Sequence, residues 1–222
     1  MATQPIPDEP WTVREYLSTD WSPDREFVDG RIEERNVGEK EHSIIQRYLT
    51  VLFTMKRSEW GLEAFPELRT QIAARNFRVP DVLVMRAGES FQRYLTRPPL
   101  IAVEVLSSED RLSNIEDKAA QYHRFGIPHI WIVDPQSRQV YRYSDAGLEK
   151  IQTGELTVPG TPIRVDLAEM FAEEDPIVTE LVEDAARTGR RLVAFFAHHG
   201  RADAGQSLSP ASLVGSRIYL DL

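Results

Sequence analysis

Three charged side chains occupy positions where the surrounding sequence is apolar: Asp81, Glu104 and Lys118. Glu104 interrupts the run Leu100-Ile-Ala-Val-Glu-Val-Leu106, which is otherwise apolar on both faces, as in a strand that is covered on both sides. Asp81 immediately precedes a second apolar run, Val82-Leu-Val84. A buried carboxylate without a partner would cost several kcal/mol or would take up a proton. We therefore expect each carboxylate either to be held ionised by a cation or to lie at a solvent-exposed strand end, as a turn or cap residue does.

Lys118 lies on the apolar stripe of a predicted helix, which contains Ile115, Ala119, Tyr122 and Phe125. Glu104 is about 7 Å from the end of its strand, at about 3.3 Å per residue. Lys118 is about 7.5 Å from the predicted helix start at Ser113, at about 1.5 Å per residue. Because a crossover helix runs antiparallel to the strand it follows, the two side chains are expected at nearly equal height. The alternative is a lysine that extends along the apolar face and reaches solvent at the rim.

Two carboxylates on neighbouring strands and a lysine form the set needed for metal-assisted hydrolysis of a phosphodiester. Carboxylate oxygens from Asp81 and Glu104 suit one or two Mg²⁺ or Mn²⁺ ions, which keep several waters. The metal lowers the pKa of a bound water and neutralises charge on the phosphate. Lys118 would orient that water or stabilise the charge that develops in the transition state. We expect the site at the carboxyl end of the parallel strands, where open α/β sheets bind ligands.

Turn and cap residues predict the elements that come before this site. Thr12 and Glu15 have the spacing of a capping box, which predicts a short helix over 12–18. Asp29-Gly30 separates two short alternating runs and is typical of a hairpin, because both turn residues must accept positive φ. Apolar spacing then predicts a helix over about 42–56 and strands around 62–65, 68–73 and 79–84, the last entered through Pro80.

A strand, a helix and a second strand follow within about 35 residues. Ser113-Asn-Ile-Glu116 has the spacing of a second capping box, and the helix it opens is expected to end at Gly126. Ile130-Trp-Ile-Val133 is again apolar on both faces. Such a unit is a parallel crossover, which is right-handed almost without exception. The chain is therefore predicted to have an α/β fold, with a mixed sheet, a central βαβ crossover, flanking helices and antiparallel strands after Val140.

Length and composition narrow the class of protein. The 222 residues suggest one domain over 10–171 and a C-terminal extension over 172–222, helical over Asp175–Arg187 and otherwise loose. The absence of cysteine excludes disulfides, thiolate metal sites and a cysteine nucleophile. A net charge of −9 argues against a protein that coats nucleic acid, although a local contact with nucleic acid stays open. No secretory leader and no membrane-length apolar run is found, so we expect a cytoplasmic protein that does not bind membranes.

The order of these residues resembles the PD-(D/E)XK nuclease motif. Glu104 follows 23 residues after Asp81, which itself follows Pro80, but Leu106 stands where the motif has lysine. The chain is most similar to the Uma-type family of restriction endonuclease-like proteins, over about residues 10–171. The resemblance implies a restriction-endonuclease-like fold in which Lys118 takes the place of the missing lysine. The segments that match are 27–33, His42, 78–81, 103–107, Asp117-Lys118, Tyr122 and 126–135.

The resemblance also points to three secondary candidates. In this superfamily an acidic residue on the first core helix often completes the metal site, and Glu33 or Glu41 could serve. His42 opens the predicted helix and would either contact phosphate or cap the helix. Each of these side chains could equally be a surface or structural residue.

Three functions agree with this pattern. The first is a Mg²⁺- or Mn²⁺-dependent endonuclease acting on DNA, with Asp81 and Glu104 on the metal and Lys118 at the attacking water. The second is a catalytically degenerate member that uses the same fold for binding or assembly, favoured by the missing Glu-x-Lys spacing and the low basicity. The third is a hydrolase for another phosphorylated substrate, since a fold does not fix its function. A homodimer is expected, because many enzymes that cut both strands act as dimers.

Overall fold

The computed structural model describes residues 10–35 and 39–172, and beyond them two short strands, Val193–Phe195 and Arg217–Tyr219, which pair antiparallel. The predicted helix over Asp175–Arg187 lies outside the described residues. Among the residues that the structure describes, no helix is both long and apolar enough to cross a membrane.

The helices of the described residues flank the sheets. They are α1 (Val13–Ser18), α2 (Lys40–Met55), α3 (Arg57–Trp60), α4 (Leu112–Phe125) and α5 (Leu167–Met170). The predicted capping box at Thr12 and Glu15 is present and opens α1. Gly126 ends α4 in the left-handed region, at φ 100°, as its position after the last apolar residue predicts.

The predicted capping box at Ser113 is wrong. Helix α4 begins at Leu112 with Arg111 as its N-cap, and no side chain caps it. The cause is a tight turn that precedes the helix, in which the Ser107 N–H donates to the Asp110 carboxylate and the Asp110 N–H donates to the Ser107 carbonyl. This turn leads the chain into the helix two residues early, so that Ser113 is already helical.

Two sheets form the body of the fold. A four-stranded antiparallel sheet has the order β2 (Arg31–Glu34), β1 (Arg25–Val28), β5 (Asn76–Arg78), β4 (Thr70–Ala73). A six-stranded sheet has the order β10 (Gly147–Lys150), β9 (Gln139–Ser144), β8 (His129–Asp134), β7 (Ile101–Val105), β6 (Val82–Arg86), β3 (Leu62–Pro66). A further antiparallel pair is made by β11 (Glu155–Thr157) and β12 (Arg164–Asp166).

The predicted mixed α/β fold with a central crossover is confirmed. Strands β7 and β8 are parallel neighbours joined by α4, and the other pairs of the six-stranded sheet are antiparallel. The predicted hairpin at Asp29-Gly30 joins β1 to β2, with φ of 49° and 92° at the two turn residues.

Pro80 marks the passage between the two sheets. Strand β5 ends at Arg78 in the four-stranded sheet, and β6 begins at Val82 in the six-stranded sheet. The predicted strand from Val79 to Val84 is therefore confirmed over Val82–Val84, but its predicted start is wrong. Because proline has no N–H to donate, it suits a position where the chain leaves one ladder of hydrogen bonds and enters another. Asp81 lies in this link, at the junction of the sheets.

The alternation of β7 directs Glu104 toward α4. Ile101, Val103 and Val105 pack in the cluster that contains α2 residues, whereas Ala102 and Leu106 pack with Ile115, Ala119 and Tyr122 of α4. Successive side chains of a strand point to opposite faces. Glu104 therefore shares the α4 face with Ala102 and Leu106.

Candidate active site

An open cleft of about 650 Å³ lies where the two sheets meet. Its walls come from the β1–β2 hairpin, the start of α2, the link between β5 and β6, the end of β7 and the first half of α4. The charged residues that line it are Glu26, Glu33, Glu34, Arg35, His42, Arg78, Asp81, Glu104, Asp110, Asp117 and Lys118. The structure thus brings Asp81, Glu104 and Lys118, which are far apart in the chain, to one cleft.

Asp81 is buried and is held by donors from three elements. Its Oδ1 accepts from the Arg35 guanidinium at 2.8 Å, and its Oδ2 accepts from the Val105 N–H at 2.8 Å and lies 3.2 Å from His42 Nε2. Burial would raise the pKa of Asp81, but the hydrogen bond to His42 and the charges of His42 and Arg35 hold that pKa below its ordinary value. Asp81 is therefore ionised at neutral pH.

Glu104 is buried on the neighbouring strand and has two partners on α4. Its Oε2 accepts from the Lys118 ammonium at 2.8 Å, and its Oε1 accepts from the Tyr122 hydroxyl at 2.6 Å. Burial raises the pKa of Glu104 to about 7; the Lys118 charge opposes this shift, while the charge of Asp81 adds to it. A carboxylate with such a pKa gives up its proton readily when a second cation approaches.

Lys118 stands at the height of Glu104, as the rise along strand and helix predicts. Its side chain is 14% exposed, and its Nζ also lies 2.9 Å from Glu26 Oε1. Burial would lower the pKa of Lys118, but Glu104, Glu26 and Asp81 outweigh it and hold that pKa above its ordinary value. Lys118 is therefore a permanent ammonium, which can donate hydrogen bonds and supply charge but cannot take up a proton as a base.

Asp81, in the link just before β6, lies beside Glu104 of β7, because its Oδ2 accepts from the N–H of Val105, the next residue of that strand. Val82 pairs with Val103 in the antiparallel register of β6 and β7, so the residue before Val82 comes opposite the residue after Val103. Like charges directly opposite are destabilising unless a cation separates them. Two neighbouring carboxylates suit Mg²⁺ or Mn²⁺, because these ions commonly bind through one or two carboxylates and retain water molecules as their other ligands.

The described residues offer few protein ligands for a metal ion. Among residues 10–35 and 39–172, no three histidine or acidic side chains converge on a single point as metal ligands. Protein donors already reach every oxygen of the two facing carboxylates. An ion bound here would share Asp81 and Glu104 with those donors and would complete its shell with water.

The three secondary candidates have different positions. His42 lines the cleft and contacts Asp81, and its pKa is raised, because the hydrogen bond and charge of Asp81 outweigh burial. Glu33 lies at the rim, with its side chain 45% exposed and Oε2 2.7 Å from Arg78 Nη1. Glu41 is exposed on α2 and does not line the cleft.

Reasoning from sequence misses three charged residues of this cleft and one hydrogen-bond donor to its Glu104. Glu26, Arg35 and Arg78 come from the four-stranded sheet or its end, and neither their spacing nor an apolar setting distinguishes them in the sequence. The apolar stripe that contains Tyr122 predicts a packing role for this residue, whose hydroxyl also donates to Glu104. Its place on the same helical stripe as Lys118 was the signal that could have revealed this contact.

The charges lining the cleft are mainly negative. Among the residues that the structure describes, seven carboxylates face three permanent cations and one histidine. Each of those cations already contacts carboxylates: Arg35 pairs with Asp81, Arg78 with Glu26 and Glu33, and Lys118 with Glu26 and Glu104. A phosphodiester would be repelled by this cleft unless a further cation entered with it.

Comparisons with known proteins agree with this architecture. A family model described as "Uma2: Putative restriction endonuclease" matches residues 13–168. The crystal structure of a putative nuclease belonging to DUF820 from Anabaena variabilis has a TM-score of 0.63 and 20% identity, covering 73% of this chain and 98% of that chain, so the two share a fold. A cryo-electron microscopy structure of a DrdV–DNA complex has a TM-score of 0.32 and 20% identity, covering 63% of this chain and 12% of that chain. No match was found among curated proteins.

Proposed function

Because the chain belongs to the Uma2 family, we propose that it is a divalent-metal-dependent endonuclease that hydrolyses phosphodiester bonds in DNA. The observation that supports this most is the pair of facing carboxylates, Asp81 and Glu104, with the Lys118 ammonium 2.8 Å from one of them. The acidic lining of the cleft adds to the argument, since a cation is needed before a phosphate can enter.

Each of these side chains has a definite task in the proposed reaction. Asp81 and Glu104 would hold Mg²⁺ or Mn²⁺, and the ion, when bound, lowers the pKa of a water and offsets phosphate charge. Lys118 donates hydrogen bonds from a fixed ammonium to the attacking water or to a phosphate oxygen. His42 keeps Asp81 ionised through its hydrogen bond. Tyr122 fixes the orientation of Glu104 from the helix side.

DNA as substrate and a homodimeric assembly belong to the same proposal. The family description names a restriction endonuclease, which is an enzyme that cuts DNA. Many enzymes that cut both strands act as dimers, and a two-fold dimer supplies two active sites from one kind of chain.

The test is cleavage of supercoiled plasmid with Mg²⁺ or Mn²⁺, with an EDTA control, by the parent and by Asp81→Asn and Glu104→Gln. Single-stranded DNA and RNA of one sequence serve as further substrates. Glu41→Gln is the matched control, because it is the same kind of change on an exposed carboxylate outside the cleft. We expect nicking and linearisation by the parent and by the control, and none by the two site variants. Equal cleavage by Asp81→Asn would contradict the proposal.

A second candidate is a nuclease-fold protein without catalysis, which binds or assembles through the same domain. The observation in its favour is that protein donors satisfy both facing carboxylates. In that case neither metal ion would raise the melting temperature of the parent, and no substrate would be cut. A melting temperature that rises with Mn²⁺ in the parent, but not in Asp81→Asn, would reject it.

A further inference from the structure

Glu26 is a buried carboxylate in the cleft, only 5% exposed, that the proposed reaction does not use. Its Oε1 lies 2.9 Å from Lys118 Nζ and accepts from the Val79 N–H at 2.8 Å. Its Oε2 accepts from Arg78 Nη1 at 2.7 Å. Burial of a carboxylate is tolerated when its oxygens are paired and hydrogen-bonded, and here three donors meet that requirement.

These contacts join Glu26 to both halves of the site. Val79 stands two residues before Asp81, so the bond to its N–H ties strand β1 to the link that presents Asp81. The contact with Lys118 ties the same strand to α4. Glu26, in the four-stranded sheet, thus contacts both the segment that precedes Asp81 and the lysine that lies beside Glu104.

Lys118 depends on this arrangement because its stem is long and flexible. An ammonium with three donors on four rotatable bonds has no fixed direction of its own. Glu104 and Glu26 hold it from two sides, at 2.8 and 2.9 Å. With one of the two removed, the ammonium would be free to swing along the remaining carboxylate.

We propose that Glu26 is a positioning residue for cleavage, which acts by fixing Lys118 between two carboxylates without itself touching metal or substrate. The inference rests on the proposed nuclease function. Removing the carboxylate should lower kcat by about 10- to 100-fold, the usual effect of losing a group that orients another at a metal site. KM and the affinity for Mn²⁺ should stay close to those of the parent.

The experiment compares Glu26→Gln with Glu33→Gln in Mn²⁺-dependent cleavage of plasmid DNA. The two are matched, because both carboxylates lie 2.7 Å from Arg78 Nη1, but Lys118 contacts only Glu26 of the two. We expect kcat to fall at least about ten times further in Glu26→Gln than in Glu33→Gln. Equal losses would assign the effect to Arg78 and overturn the inference.

A double-mutant cycle with Lys118→Met tests the route of the effect. If Glu26 acts through Lys118, adding Glu26→Gln to Lys118→Met should change kcat by less than about twofold, since residues that act as a unit are not additive. Full additivity would overturn the inference. Calorimetric titration with Mn²⁺ gives a readout besides activity. A loss of affinity as large as in Asp81→Asn would make Glu26 a metal ligand and would equally overturn it.

Circular dichroism and the melting temperature establish that each variant is folded. Should Glu26→Gln not fold, Glu26→Asp is used in the same comparison, because it keeps the charge but withdraws it from Lys118 by one methylene. Failure of the two ideas is distinguishable. A parent that cleaves nothing overturns the nuclease proposal and this inference together, whereas a cleaving parent with an equally active Glu26 variant overturns this inference alone.

Discussion

Replacing Lys118 by methionine is expected to lower the free energy of unfolding by about 3–5 kcal/mol at about pH 8. The ammonium lies within 2.9 Å of two carboxylates, Glu104 and Glu26, whose side chains are 5% and 7% exposed. Removing the ammonium leaves the Glu104 charge without its cation, while Glu26 keeps its contact with Arg78, and the loss at Glu104 is the main source of the magnitude. The free energy of unfolding of a domain is typically about 5–15 kcal/mol, so this loss would be a large part of the total.

The loss in free energy of unfolding should depend on pH, and the two carboxyl groups determine whether it grows or shrinks as the pH rises. Without the ammonium, burial raises the folded-state pKa of Glu104 above about 7, and the pKa of Glu26 rises from its present lowered value. A carboxyl whose pKa is higher in the folded state than in the unfolded state favours folding at low pH, and this contribution is lost as pH rises. At about pH 5 Glu104 is protonated and needs no cation, so the destabilisation should fall to roughly half.

The free energy of unfolding at about pH 5 and at about pH 8 is measured by urea unfolding in EDTA. Unfolding is followed by tryptophan fluorescence and far-ultraviolet circular dichroism. Lys56→Met is the matched control, because its ammonium also lies 2.8 Å from a carboxylate, that of Glu59, but the pair is 42% and 59% exposed. Such a surface pair is worth about 0–1 kcal/mol. A Lys118→Met effect below about 1 kcal/mol at the higher pH, or one that is equal at both, would refute the reasoning.

Three further predictions follow from the same contacts. Arg35→Met should tighten Mn²⁺ binding by about tenfold in calorimetric titration, because Arg35 occupies Asp81 Oδ1; unchanged or weaker binding would count against a metal at Asp81. The rise in melting temperature caused by Mn²⁺ should be larger at about pH 8 than at about pH 6, since Glu104 titrates near 7; a rise that does not vary with pH would contradict this. Tyr122→Phe should cost about 1–3 kcal/mol in urea unfolding, because it leaves a buried Glu104 oxygen without its donor, and an effect near zero would mean that the contact is not made.

The contact between Glu104 and Lys118 could be predicted because it lies within one supersecondary unit. A strand and the helix that follows it have fixed rises per residue, and their relative direction is set by the crossover. Counting residues from the connecting loop therefore gives the relative height of two side chains. The same arithmetic succeeded although the helix begins two residues earlier than predicted.

The positions of Glu26 and Arg78 could not be predicted in this way. Both belong to the four-stranded sheet, and their distance from α4 depends on how that sheet is set against the six-stranded one. The link through Pro80 determines this relation, and in the sequence it reads as the start of a single strand. Local propensity describes each strand but carries no information about the angle at which two sheets meet. The residues that surround the predicted lysine were therefore missed, although the lysine itself was found.

The balance of charge in the cleft gives a physical reason why binding of metal and of substrate should be coupled. The three permanent cations on its walls are engaged by carboxylates, so none is available to a phosphate without breaking an existing ion pair. In the proposed function, a divalent ion held by Asp81 and Glu104 would replace the attraction that Arg35 and Lys118 supply to them. Arg35 could then turn toward a phosphate, because it would exchange one anion for another, while Lys118 would keep its contact with Glu26. The ion pair between Arg35 and Asp81 would thereby be exchanged for a contact with the substrate, so that binding of the metal would favour binding of the phosphate.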